Sequence, residues 1–203
     1  MTQAKRVQLR RGVSTVTLVL MLTIAVALVA AYAQLLFEPG GTDPTSGEIK
    51  SSAELPVMLW CMGWPIALGR RAFRVVMPLL WSLGCVLAWL HIAIAFHLGH
   101  GWSHQTAWEH TKQIGGYGDG IYVNYLFALV WLADALWACV AFNSYRARPR
   151  RLNWSVHGFL AFVVVNAAVV FGSCDSRISF FGPFLCALAF VVYMKWRQRR
   201  LST

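Results

Sequence analysis

Six apolar runs, each closed by polar or charged residues, pattern this chain: residues 13–37, 55–69, 75–98, 121–142, 153–173 and 178–194. The longer runs suffice to cross a bilayer as helices. The 55–69 run is short and carries Pro65 in its middle, so a kink is expected there. The fold class that follows is all-α: a single integral membrane domain over residues 1–203, a polytopic bundle of about six transmembrane helices.

The connecting segments differ in chemistry. Residues 38–54 form a polar loop with four acids, Glu38, Asp43, Glu48 and Glu54, against one base, Lys50. Residues 99–120 form a histidine-rich loop, and Cys174–Arg177 a short turn. The other connections are basic: Arg70, Arg71 and Arg74, then Arg146, Arg148, Arg150 and Arg151, then the terminal Lys195, Arg197, Arg199 and Arg200. With the N-terminus in the cytoplasm, fifteen of the eighteen Lys and Arg fall on the cytoplasmic side, leaving Lys50, Lys112 and Arg177 outside. Seven of the eight acids fall outside and the eighth, Asp134, lies within a span. Bases sorted in this way set orientation, which predicts both ends inside and location in the inner or plasma membrane.

Composition agrees. At 58% hydrophobic and 13% charged, the chain is too apolar to solvate a soluble domain of its length. The net charge of +10 would suggest nucleic acid in a soluble protein. Here the basic clusters face anionic lipid, and no nucleic-acid-binding motif accompanies them. The expected partner is therefore the lipid bilayer, with a homo-oligomer or a membrane partner subunit as the further candidates. Trp102, Trp108, Tyr117, Tyr122 and Tyr125 fall at the expected outer interface, Tyr145, Trp154, Tyr193 and Trp196 at the inner one. A signal peptide is the rival for the first run, because Ala31-Tyr32-Ala33 resembles a cleavage site, but the run is longer than a usual signal core. The five cysteines fall in no disulfide or CxxC spacing.

Candidate chemistry gathers between His91 and Gly120, where five of six histidines lie. On a continuous helix, His97, His100 and His104 would share one face, the spacing by which imidazoles converge on one ion. Glu109 and His110 would complete or orient the set. Such nitrogen ligation suits zinc, copper or iron in a redox or hydrolytic protein. Gly99 and Gly101 work against the shared face, since both disfavour helix. The alternatives are a pH-responsive or hydrogen-bonding cluster, and histidines that merely sit at the interface. Thr106-Ala107-Trp108-Glu109 fits a capping box, predicting a short helix to about Ile114. Gly115–Gly120 reads as a flexible joint and lacks the strand and lysine of a phosphate loop.

Two residues deeper in the spans also stand out. His91 shares a small-residue face with Gly84, Ala88 and Ala95, which points it into the bundle, with Asn166 as a partner at similar depth. Asp134 costs about 2.5–3.5 kcal/mol at a helix centre. It should face the interior, paired with Asn166, Ser82 or a carbonyl, or serve a proton or cation path. No Lys or Arg within the spans offers a counter-ion. Haem fits less well, because no two histidines face each other at one depth on different spans. Three classes of function remain: a membrane metalloprotein, a small proton- or cation-coupled transporter using Asp134 and His91, and a non-catalytic membrane subunit.

Overall fold

The computed structural model describes residues 15–38, 40, 41, 43, 47–68, 76–170 and the single positions 185, 189, 192, 193, 196 and 200. The Cys174–Arg177 turn and nearly all of the expected 178–194 span lie outside the described residues, as do the basic segments at 5–11 and 70–74. The protein is all-helical, with no strand among the described residues. The helices are α1 Thr15–Gln34, α2 Gly47–Leu68, α3 Val76–Ile94, α4 His104–Gly115, α5 Gly120–Val140, α6 Phe142–Ala147 and α7 Arg150–Val170. A π-helical turn, Ala95–Gly99, prolongs α3. Two helices, Pro78–Gly99 and Gly120–Val140, are long and apolar enough to cross a membrane.

α2 begins well before the expected 55–69 run and continues through Pro65. Its first turns recruit the acidic end of the polar loop. Glu48 sits against the positive end of the helix dipole. The hydroxyls of Ser51 and Ser52 donate back to the carbonyls of Glu48 and Ile49 at 3.1 and 2.8 Å, so these polar residues are satisfied inside a helix.

The core lies where α2, α3, α5 and α7 meet. It is built from Trp60 and Cys61, Trp81, Cys85 and Ala88, Trp131, Ala135 and Ala138, and Leu160 and Val164, closed from below by Tyr145 of α6. The Trp81 and Trp131 rings pack with centroids 5.4 Å apart. Gly84 permits this approach: a Cβ there would lie 3.0 Å from the Trp131 ring and 3.2 Å from Leu59. The outward surface is apolar instead. Val26, Leu129, Leu136 and Phe162 are all more than half exposed, while Asp134 is buried. Large side chains turned outward around a charged interior invert the arrangement expected in water.

Candidate functional site

The helix does not carry the histidine series as one face. α3 and its π turn end at Gly99, and Gly101 and Trp102 both take left-handed backbone at φ 54° and 61°. For Trp102 that conformation costs roughly 1–2 kcal/mol. Its amide recovers part of this by donating to the Phe96 carbonyl at 2.9 Å. The chain thus reverses between His100 and His104. α4 then starts at His104, two residues ahead of the expected Thr106, because the Ser103 hydroxyl caps it by accepting from the Thr106 amide at 3.2 Å. Gly116, at φ 76°, ends it.

This reversal separates the imidazoles. His97 accepts at Nδ1 from the Trp102 indole N–H at 3.2 Å, so its Nε2 carries the proton and donates to the Glu38 carbonyl at 2.8 Å. Both of its nitrogens are engaged. His104 bonds the Tyr125 hydroxyl through Nδ1 at 2.9 Å and meets the Tyr122 hydroxyl at 3.5 Å. Glu109 accepts from Gln105 one turn earlier on α4, at 2.9 Å. None of the three converges on an ion-sized space. Among the described residues, no group of three His, Cys, Asp or Glu side chains is placed to hold a metal.

His100 and His110 behave differently. The turn brings His100 back over α4, where its ring lies 5.3 Å from that of His110, with Phe96 edge-on at 5.7 Å. His100 Nδ1 and His110 Nε2 are both buried and have no hydrogen-bond partner. Desolvation, and then the neighbouring His110, hold His100 below the ordinary histidine pKa, against the pull of the Gly99 backbone. Burial lowers His110 as well. Burial thus biases both rings toward the neutral form, and one buried nitrogen of each is left without a hydrogen-bond partner of sound geometry. Buried polar atoms are rarely left so.

α4 is pinned to the start of α5 by Trp108, which donates to Asp119 at 3.0 Å and packs on Gly118. A Cβ at Gly118 would fall 2.3 Å from the Trp108 ring, so only glycine fits beneath it. Within the expected 115–120 joint, Gly118 is thus packed in a corner, while Gly115 and Gly116 stay open.

The deeper residues take partners that the spacing of the sequence did not identify. His91 meets Ser52 of α2 at 2.9 Å rather than Asn166, which is exposed on α7. Because the Ser52 proton goes to the Ile49 carbonyl, the hydroxyl accepts from His91 Nδ1–H and is not activated as a nucleophile. Ser82 contacts Cys139 at 3.0 Å, not Asp134. Asp134 forms an ion pair with Arg148, which folds in from the basic segment after α6, and so does have a counter-ion. Trp81 Nε1 and the Tyr145 hydroxyl donate to its other oxygen at 2.9 and 3.1 Å. Arg148 is held in turn by Asn153 at 2.9 Å, by His157 at 2.8 Å, and by the Tyr145 ring beneath its guanidinium at 4.1 Å. A guanidinium only donates, so His157 accepts at Nε2 and is neutral. Asp134 is thereby a fixed counter-ion that fastens α3, α5, α6 and α7 together.

Compared with known proteins, the chain matches no family model, no curated protein and no solved structure.

Proposed function

We propose that the chain is a multi-pass protein of the inner or plasma membrane, six spans with both ends in the cytoplasm, that binds a transition metal (zinc, copper or iron) through its outer histidine segment in a redox or hydrolytic role. One observation carries the metal reading: His100 and His110 stand side by side, each with a buried nitrogen that lacks a partner. Neutral imidazole is the ligating form, and burial biases both rings toward it. The membrane reading is supported by the two long apolar helices and by the apolar outward surface around the Asp134–Arg148 pair. Asp134 and His91 favour architecture over transport, since each is committed to neighbours within the bundle.

Elemental analysis of protein purified in detergent, combined with an optical spectrum, tests this. Stoichiometric metal is expected, and it should be lost in the His100→Ala, His110→Ala double variant. Protein that takes up no zinc, copper or iron, as purified or after incubation with each, would refute the metal reading.

A further inference from the structure

Resting on that metal-binding reading, we infer that the ion is cuprous copper, held by two ligands, His100 Nδ1 and His110 Nε2. The number of donors argues first. Zinc sites draw three or four protein ligands, and the usual ferrous site adds a carboxylate to two histidines. Here no third His, Cys, Asp or Glu joins the pair among the described residues. Of the other candidates in this segment, His97 is committed at both nitrogens to Trp102 and Glu38, His104 is turned to Tyr125, and Glu109 is turned to Gln105. Cuprous ion, with a filled d shell and a single charge, is stable with two nearly opposed nitrogen ligands.

Charge argues second. Both ligands are neutral, and the Phe96 ring and buried Ala107 lie at or beside them. The desolvation cost of an ion grows with the square of its charge, so a divalent ion with no anionic ligand would pay about four times that of a monovalent one. Geometry is compatible. Two opposed imidazoles on one ion hold their nitrogens about 4 Å apart, twice a metal–nitrogen bond of about 2 Å, which sets their ring centroids about 6 Å apart, so the two rings, at 5.3 Å, would part slightly on loading. The two rings ride on separate elements, the end of the π turn and α4, and the Ser103 cap and the Trp102–Phe96 bond fix how these meet.

The experiment is anaerobic titration of the full-length protein in detergent with cuprous ion against a colorimetric cuprous chelator, and separately with zinc, followed by X-ray absorption on the copper-loaded wild type. One cuprous ion with two nitrogen neighbours is expected. His100→Gln or His110→Gln should weaken it more than about tenfold, the lower end of what disturbing a ligand's support costs. His97→Gln and His104→Gln should leave it unchanged. Three or four nitrogen neighbours, or zinc bound more tightly and dependent on His97 or His104, would overturn the two-ligand cuprous site while leaving metal binding intact. No uptake of either ion would remove both. The neighbour count is read on the wild type, so it decides even where a variant fails to fold.

Discussion

Removing Arg148 should be among the most damaging single changes in the bundle. Arg148→Gln takes away the ion pair to Asp134 and leaves that carboxylate, only 4% exposed, with the Trp81 and Tyr145 donors alone. It also disturbs the bonds to Asn153 and His157. Breaking a buried pair from one side costs about 3–5 kcal/mol, because the remaining charge stays desolvated. Asp134→Asn should cost a similar amount by stranding the guanidinium. With both changes together, neither charge is left alone. The amide oxygen that Asp134→Asn leaves in place still accepts from Trp81 and Tyr145, so the double variant should fall short of the summed losses by about 2–3 kcal/mol, the upper range for residues in one network. The assay is reversible unfolding in mixed micelles, followed by circular dichroism and by fluorescence of the tryptophan-rich core. Single changes that each cost under about 1 kcal/mol and simply add would refute the assignment of this pair as the fastening of the bundle.

Three further outcomes are expected. Gly118→Ala should displace Trp108 and loosen α4, at about 1–3 kcal/mol as in other overpacked sites, visible as faster amide exchange over α4; unchanged exchange would count against the packed corner. Asp119 is held below the usual aspartate pKa by the bonds from Trp108 and then Tyr117. A carboxylate with a lowered folded pKa contributes stability that is fully present above its unfolded value of about 4 and is lost as pH falls through the folded value. The stability gap between wild type and Asp119→Asn should therefore be flat at neutral pH and close in acid; a gap insensitive to acid would show that the bonds do not require the charge. Finally, Gln113→Cys, exposed on α4, should react with a membrane-impermeant thiol reagent in intact cells. Labelling only after lysis would invert the orientation.

Helical class and the two long apolar helices were legible because apolar length is a coarse signal that neighbours cannot easily override. The start of α2 was not, since Glu48, Ser51 and Ser52 look like loop residues until their hydroxyls are seen bonding back along a helix. For the histidines, the glycines at 99 and 101 warned of a break. The direction of the reversal depends on a left-handed tryptophan, which spacing does not reveal. That reversal pairs His100 with His110 instead of aligning His97, His100 and His104. Arg148 was hidden for a different reason. A run of arginines at a helix end reads as a solvated face, and only the packed turn shows that one of the four points inward.

The Asp134–Arg148 pair also bears on how the chain is made. The two residues are only 14 apart, so at about 5–20 residues per second the base leaves the ribosome within roughly one to three seconds of the acid. Trp81 has by then already been synthesised. On the proposed insertion of α5 into lipid, the acid therefore has its neutralising arm in hand almost as soon as it emerges. Translocation machinery would need to shelter Asp134 only briefly, and lengthening the α5–α6–α7 connection should prolong that vulnerable interval.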